Sequence, residues 1–221
     1  MGFLPEVKRL LDQVRDDRQT LLFSATLDGA VDELVRRYQH DPVRHEHDPV
    51  DEAPPNRHVF WKVDRGSRVH TAAEVIKTEW PAIVFCRTKH GADRVAKQLS
   101  KSGVTSVAMH GDRSQSQRKR ALADFTAGRV QALVATDVAA RGIHVDDVAA
   151  VIHFDPPADE KDYVHRSGRT GRAGASGVVV SFVADDQVGE VRKMQRRLGI
   201  EEGVGSVHLD DLTDDGFLVR P

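Results

Sequence analysis

The chain has 221 residues, of which 39% are hydrophobic and 30% are charged, and its formal net charge is −2. No apolar run is long enough to span a bilayer, and a single cysteine, Cys86, excludes an internal disulfide framework and a thiolate metal site. The near-neutral charge argues against a protein that coats nucleic acid without selectivity, but it is compatible with a local binding groove.

Residues 1–48 are predicted to contain two helices, at 6–14 and 31–38, and two short strands, at 20–23 and 43–45. The apolar strand at 20–23 needs cover on both faces, which so few elements cannot supply. We therefore interpret this segment as the end of a first domain. A linker is expected at 49–56, where two consecutive prolines stand among polar residues.

After the linker, strands and helices alternate. The strands are predicted at 58–63, 82–85, 106–109, 132–135, 150–154 and 178–183, and the helices at 68–77, 92–100, 115–126, 161–166 and 188–198. Such alternation predicts an α/β domain over 57–200, with a mainly parallel sheet flanked by helices. Residues 201–221 are interpreted as a short acidic tail. Most polar motifs follow predicted strands, at the edge where open α/β sheets bind ligands.

The most informative segment is 163–174, whose sequence is YVHRSGRTGRAG. Arg166, Arg169 and Arg172 recur at every third position and therefore share one face of a helical turn. Guanidinium groups beside glycines suit a polyanion such as a nucleoside triphosphate. A solvated helix face would show the same spacing, so this segment alone leaves both interpretations open.

Five segments, in this order, resemble the signature motifs of the DEAD-box RNA helicases of superfamily 2. They are SAT at 24–26, IVFCRT at 83–88, HGD at 110–112 followed by QSQR at 115–118, ATDVAARGI at 135–143 and HRSGRTGR at 165–172. The last two are long and specific. The resemblance covers nearly the whole chain, and it implies a second RecA-like domain preceded by part of a first one.

The resemblance also implies which residues contact the nucleotide. Arg169 and Arg172 correspond to arginine fingers that reach the γ-phosphate and stabilise the charge that develops during phosphoryl transfer. Gly142 and His144 fall where the family contacts the nucleotide ribose. The family usually has aspartate at the position of His144, so ribose contact and a bystander role both stay open there.

Two further groups of residues are implied by the same resemblance. The RNA-contacting group, expected to bind the sugar-phosphate backbone without reading bases, is Arg87, Thr88, Gly111, Asp112, Arg118 and Thr136. The group expected to couple the two domains is Ser24, Thr26, Asp137, His165 and Arg166.

Simpler structural roles compete with several of these assignments. Thr136 and Asp137 are favoured residue types at a helix N-cap. Arg118 could serve in an ion pair with a neighbouring acid, and His165 could cap its helix. Ser24 and Thr26 are equally compatible with an ordinary strand-to-helix turn. Histidines near the linker have no matching cysteine or carboxylate cluster, and we expect no metal site in this chain.

The sequence contains no Gly-Lys pair and so lacks the phosphate-cradling loop. Residues 51–54, DEAP, only superficially resemble the family's acidic motif, because they follow SAT and lie in the linker. We therefore expect the C-terminal part of a longer ATP-dependent RNA helicase. ATP and Mg²⁺ are its expected cofactors, with the Mg²⁺ ligands in the first domain.

The expected partners are RNA and that first domain, with no membrane, and the cytoplasm is the simplest location. Two alternatives differ in class: a non-enzymatic RNA-binding module made at this length, and the second motor domain of a DNA helicase.

Overall fold

The computed structural model describes residues 4–24, 29–45, 56–140, 145, 148–171 and 177–212. The chain divides into two compact units, Met1–Pro49 and Val50–Pro221. None of the described helices has both the length and the apolar character needed to cross a bilayer.

The first unit contains two helices, α1 (Leu4–Leu11) and α2 (Gly29–Tyr38). The Tyr38 hydroxyl, at the end of α2, donates a hydrogen bond of 2.7 Å to the Asp12 carboxylate, just beyond α1. Leu34 and Val35 of α2 are buried. The two helices were predicted within a few residues of these bounds, because their apolar residues recur with helical spacing.

The two strands predicted in this unit, at 20–23 and 43–45, are not formed, so those predictions were wrong. Leu21, Phe23 and Val43 are instead largely exposed, at 69%, 90% and 81%. A strand needs a neighbour to pair with its backbone N–H and C=O groups. In the part of this unit that the structure describes, no neighbouring strand offers that pairing.

The second unit alternates strands and helices in chain order. They are β1 (Arg57–Lys62), α3 (Arg68–Thr78), β2 (Ala82–Phe85), α4 (Lys89–Lys101), β3 (Ser106–Met109), α5 (Gln115–Thr126), β4 (Ala132–Ala135), α6 (Asp137–Ala140), β5 (Ala150–His153), α7 (Glu160–Ser167), β6 (Val178–Val183), α8 (Val188–Leu198) and β7 (Val204–Gly205). All strand pairs are parallel, and the order is β3-β4-β2-β5-β6-β1-β7. The predicted α/β class is confirmed.

Both faces of the sheet are buried, as a parallel sheet covered by helices requires. Successive side chains of a strand point to opposite faces. In β1, Val59 and Trp61 join one apolar cluster while Phe60 joins the other. In β4, Val134 and Leu133 divide in the same way. This double burial explains why the strands are short apolar runs without polar alternation.

The segment interpreted as an acidic tail begins as part of the sheet. In β7, Val204 pairs with Phe60 and Gly205 with Trp61. Further on, the Trp61 indole N–H donates to the Asp211 carboxylate at 3.1 Å, and Leu212 is only 3% exposed. Residues 204–212 therefore cover the β1 edge. Two residues of strand are too few to give a readable sequence pattern, which is why β7 escaped prediction.

Candidate functional site

The predicted motifs converge at one edge of the sheet. Arg87 follows β2, Gly111 follows β3, Thr136 follows β4 and Asp155 follows β5, and these four strands are neighbours in the order β3-β4-β2-β5. Carboxyl ends of parallel strands lie at the same edge, so topology brings together residues that are up to 68 positions apart. Helices α4, α6 and α7 begin at or near this edge.

Arg166, on α7, is the best-connected side chain at this edge. Its Nε and Nη2 donate to the two carboxylate oxygens of Asp137 at 2.6 and 2.9 Å, and its Nη1 donates to the Asp155 carbonyl at 2.8 Å. The guanidinium carbon lies 5.1 Å from the centre of the Phe85 ring, and the residue is 3% exposed. A bidentate pair of this kind fixes both partners in orientation.

This pairing bears on two residues that the sequence assigned to coupling between domains. Arg166 and Asp137 bind each other inside this domain, which joins α7 to the end of β4. Asp137 is also the first residue of α6, where a carboxylate is favoured by the helix dipole. In this structure, the Arg166 guanidinium is therefore occupied within the domain.

Asp155 ties three elements together and was not singled out from the sequence. Its carboxylate accepts the backbone N–H of Arg87 at 2.9 Å, and the other oxygen lies 3.5 Å from the buried Arg68 guanidinium of α3. Its carbonyl binds Arg166. The available signal was its position, directly after β5 and Phe154 and before two prolines, at the same edge as the motifs.

Helix α7 is anchored on the sheet by Tyr163, which is 1% exposed. The ring stacks on Phe60 and meets the edge of His153 at 4.9 Å between centres, and its hydroxyl lies 2.7 Å from His58 Nδ1. Burial raises the pKa of the Tyr163 hydroxyl, so it stays protonated. This anchor fixes the orientation of the helix that leads into the arginine-rich turn.

His165 and Arg169 are partly exposed and border a shallow pocket beside Arg166 and Asp137. After α7 the chain turns at Gly171, which has φ +68°. A Cβ there would stand 1.7 Å from Asn56 Oδ1, so the close approach requires glycine. Asn56 in turn donates to the carbonyls of Ser167 and Thr170, both at 3.3 Å.

The expected RNA-contacting residues lie along the same edge. Arg87, Thr88, Gly111 and Asp112 are exposed, whereas Thr136 is 7% exposed. The Thr88 hydroxyl accepts the Gly91 N–H at 3.0 Å and so caps α4. The carboxylate of Asp112 pairs with Lys89, which lowers its pKa mainly through their hydrogen bond.

Arg118, on α5, reaches the Ala139 carbonyl at 3.5 Å. The alternative of an ion pair finds no support among the described residues, where no carboxylate pairs with Arg118. Ser114 begins α5 with a reciprocal capping box, because its hydroxyl accepts the Gln117 N–H and Gln117 accepts the Ser114 N–H. The cap fixes the helix that carries Arg118.

A partly buried cluster next to this turn was also missed by sequence reasoning. The Asp93 carboxylate, on α4, binds His110 Nε2 at 3.0 Å and Arg113 Nη2 at 2.6 Å. Desolvation would raise the pKa of Asp93, but the hydrogen bonds from His110 and Arg113 outweigh it and lower that pKa. The cluster clamps the turn containing Gly111 and Asp112. Nothing in the helical pattern of α4 distinguishes Asp93 from a solvated acid.

Several predicted residues lie outside the described ranges: Thr26, Gly142, His144 and Arg172. Ser24 is described and exposed. Cys86 is fully buried, and burial raises the pKa of its thiol to about 12, which suits a packing residue.

Arg169 borders this shallow pocket, and guanidinium groups bind phosphate oxygens well, so its residue type suits contact with a phosphate group. The described residues do not form a comparable binding site for Mg²⁺. Over the described ranges, no three or more His, Cys, Asp or Glu side chains are grouped so that they could hold a metal ion.

Comparison with known proteins places this architecture in a family. Residues 67–174 match the model of the helicase conserved C-terminal domain. DEAD-box ATP-dependent RNA helicase 30 of Arabidopsis thaliana is 37% identical over 204 residues, which cover 90% of this chain and 34% of the relative. DEAD-box ATP-dependent RNA helicase CshA of Geobacillus kaustophilus is 37% identical over 89% of this chain and 43% of its own.

Solved structures agree with the sequence matches. The E. coli DEAD-box protein SrmB, bound to regulator of ribonuclease activity A, is 34% identical, with a TM-score of 0.63 over 71% of this chain and 92% of that chain. S. cerevisiae Dbp5, bound to RNA and ADP BeF3, is 30% identical, with a TM-score of 0.76 over 96% of this chain and 56% of that chain.

The chain spans about a third to two fifths of the length of the curated relatives it matches. Its parallel sheet, the motifs at the strand ends and these matches agree with one another. The chain belongs to the DEAD-box RNA helicase family and contains its C-terminal, RecA-like helicase domain.

Proposed function

We propose that this chain supplies the second motor domain of an ATP-dependent RNA helicase. The observation that carries the proposal is that Arg169, in the turn after α7, borders the same pocket as Asp137 and Ala140, which follow β4. A triphosphate held by a first RecA-like domain meets Arg169 and Arg172 across the cleft. Gly142 and His144, which stand in the sequence between α6 and β5, are proposed to contribute the contact with the nucleotide ribose.

RNA binds the neighbouring turns through its sugar-phosphate backbone. Arg87 and Arg118 contact phosphates, and Thr88 and Thr136 add hydroxyl groups beside backbone N–H groups. Gly111 has no side chain, so its backbone allows close approach of the RNA strand. Asp112 is an acceptor and repels phosphate, so its partner is a ribose 2′-hydroxyl, a group that distinguishes RNA from DNA.

Coupling between nucleotide and RNA follows from the contacts inside the domain. Asp155 holds the Arg87 turn through its carboxylate and holds Arg166 through its carbonyl. Movement of α7 toward a bound triphosphate therefore moves the RNA-contacting turn as well. His165 adds to the coupling through contact with the first domain, whereas Ser24 and Thr26 belong to the first-domain segment and link that domain's acidic motif to the second domain. The whole enzyme hydrolyses ATP with Mg²⁺ as the cofactor. The residues that bind this Mg²⁺ belong to the first domain.

The decisive experiment uses a chimera in which this chain replaces the matching part of a CshA-type relative. RNA-stimulated ATP hydrolysis is measured, and Arg169→Gln is expected to lower kcat by roughly 10³-fold, because an arginine finger is lost. Arg196→Gln, which removes a charge from the exposed face of α8, serves as the control and leaves kcat unchanged. Equal turnover by the chimera with and without Arg169 would contradict the proposal.

The 221-residue chain by itself is expected to show negligible RNA-stimulated ATP hydrolysis. Robust ATP hydrolysis by the contaminant-free chain would refute the division of labour between two domains.

The 221-residue chain also serves to distinguish an RNA helicase from a DNA helicase. The proposed contact of Asp112 with a ribose 2′-hydroxyl predicts tighter binding of single-stranded RNA than of DNA of the same sequence. Equal affinities would favour the DNA alternative.

A further inference from the structure

Helix α4 carries a continuous basic stripe, defined as His90, Arg94, Lys97 and Lys101. All four side chains are exposed. At 100° per residue they fall within an arc of about 60°. The buried residues of the same helix are Ala92, Val95, Ala96 and Leu99, which lie on the opposite face. The basic stripe therefore points straight away from the sheet.

No carboxylate of α4 offsets this charge. The one acid of the helix is Asp93, and its carboxylate is already bound by His110 and Arg113. Lys89, at the start of the helix, pairs with Asp112. Over the described ranges, no carboxylate forms an ion pair with Arg94, Lys97 or Lys101.

Helices α3 and α5 of this domain pair exposed cations with acids of their own. Lys77 binds Glu74 within α3, and Arg120 approaches Asp124 within α5. The whole chain has a net charge of −2, so the stripe does not reflect a generally basic composition. A local, uncompensated row of cations on an acidic protein is an electrostatic footprint for a polyanion.

The position of α4 indicates which polyanion this is. The helix starts at its cap Thr88, directly after Arg87, within the turn that contacts RNA in the proposed function. From His90 to Lys101 the basic stripe then runs for about 16 Å along the helix. An RNA strand that leaves the sheet edge beside Arg87 passes His90 and then meets the cations Arg94, Lys97 and Lys101.

We propose that the basic stripe of α4 is an extension of the RNA-binding surface that holds phosphates of a strand running beyond the sheet edge. This inference rests on the proposed RNA binding at that edge. The contacts are purely electrostatic and independent of sequence, since flexible lysine and arginine side chains on an exposed helix face read no bases. Longer RNA therefore binds more tightly than RNA that fills the edge alone.

The test measures binding of the full 221-residue chain to single-stranded oligouridine of about six and about 20 nucleotides by fluorescence anisotropy, across a salt series. A graded set of variants removes the cations: K97Q, R94Q/K97Q and R94Q/K97Q/K101Q. For the long RNA, each lost contact is expected to lower the slope of log K against log salt by about 0.7. Affinity for the short RNA is expected to stay unchanged.

The control variant R192Q/R196Q removes two cations from the exposed face of α8 and so matches the net charge of R94Q/K97Q. It is expected to leave both RNAs unaffected. Equal losses in R94Q/K97Q and R192Q/R196Q would overturn the inference, because only overall charge would then matter. A loss that is the same for the short and the long RNA would overturn it as well.

A competing anion distinguishes RNA from an acidic protein as the partner. Polyglutamate of similar charge is expected to displace the long RNA poorly, and equal displacement would assign the basic stripe to an acidic protein instead. Arg87→Gln tests the edge itself through the short RNA. If R87Q weakens short-RNA binding while the stripe variants leave long-RNA binding unchanged, the inference fails and the edge site stands. If R87Q leaves short-RNA binding intact, the edge site fails and the basic stripe is not its extension.

Discussion

Arg166 shows how a single residue in a motif can be fixed by its own domain. Its guanidinium is 3% exposed and is satisfied by Asp137, the Asp155 carbonyl and the Phe85 ring. Burial of a charge is tolerated only where hydrogen bonds and an opposite charge compensate for lost water. The sequence could identify Arg166 from its motif, but not its partners, since Asp137 is 29 positions away.

Removing this guanidinium tests that account. Arg166→Ala is expected to lower the free energy of unfolding by about 3–5 kcal/mol, because it leaves Asp137 without its partner in a partly buried site. Urea denaturation measures the loss. Arg197→Ala breaks an exposed pair with Glu160, whose side chains are 70% and 33% exposed, and should cost below about 1 kcal/mol. A loss for R166A no larger than that for R197A would contradict the structural role of this pair.

At the scale of elements, the packing of α7 against the sheet depends on two neutral imidazoles, those of His153 and His58. His153, on β5, is 0% exposed and lies against Tyr163, with Nδ1 3.2 Å from the Ser181 hydroxyl. Burial holds the pKa of His153 well below its usual 6.5, with Arg166 and His58 acting in the same direction. Burial also lowers the pKa of His58. Both rings are therefore neutral in the folded state.

A pH dependence follows from these lowered pKa values. The unfolded chain binds protons at His153 once the pH falls below about 6.5, while the folded chain does not, so stability falls with pH from there toward the folded pKa. His153→Gln, which does not titrate, is expected to flatten this slope by up to about 1.4 kcal/mol per pH unit. His208→Gln, at an exposed position, is the control; equal slopes in all three proteins would refute the expectation.

Elements differ in how far the sequence predicts them. Strands β2, β3, β4 and β6 match their predicted bounds because each is a short apolar run bounded by polar or turn residues. Residues 20–23 show the same pattern and form no strand, since a strand exists only through its partners. Asp155 and Asp93 escaped notice for a related reason: their importance comes from contacts with residues of other elements, which local sequence patterns do not encode.

At the scale of the whole molecule, the domain extends past the boundary at 200 that the sequence suggested. Trp61, one of the largest buried side chains, donates to Asp211, and Leu212 joins the apolar cluster on the same face of the sheet. These contacts lie at the open edge of the sheet, beside β1. Residues 204–212 therefore protect an edge strand that would otherwise be available for pairing with another chain.

Truncation tests the contribution of this segment. A chain ending at residue 200 is expected to lose roughly 3 kcal/mol or more of stability relative to one ending at 212, because it exposes Trp61 and forfeits Leu212 burial and a hydrogen bond to a carboxylate. Urea midpoints of the two truncated chains and the full chain provide the comparison. Coincident midpoints for the chains ending at 200 and at 212 would contradict this role.

The pairing of β1 with β6 has a consequence for synthesis in the cell. Arg57 pairs with Val178, 121 positions later, and the register continues to Lys62 and Val183. At translation rates of about 5–20 residues per second, β1 waits roughly 6–24 s on the ribosome before its partner emerges. During that interval the nascent chain displays Phe60 and Trp61 without cover. A ribosome that stalls before β6 thus leaves an incompletely folded domain with exposed apolar side chains. Such a domain is a substrate for holdase chaperones.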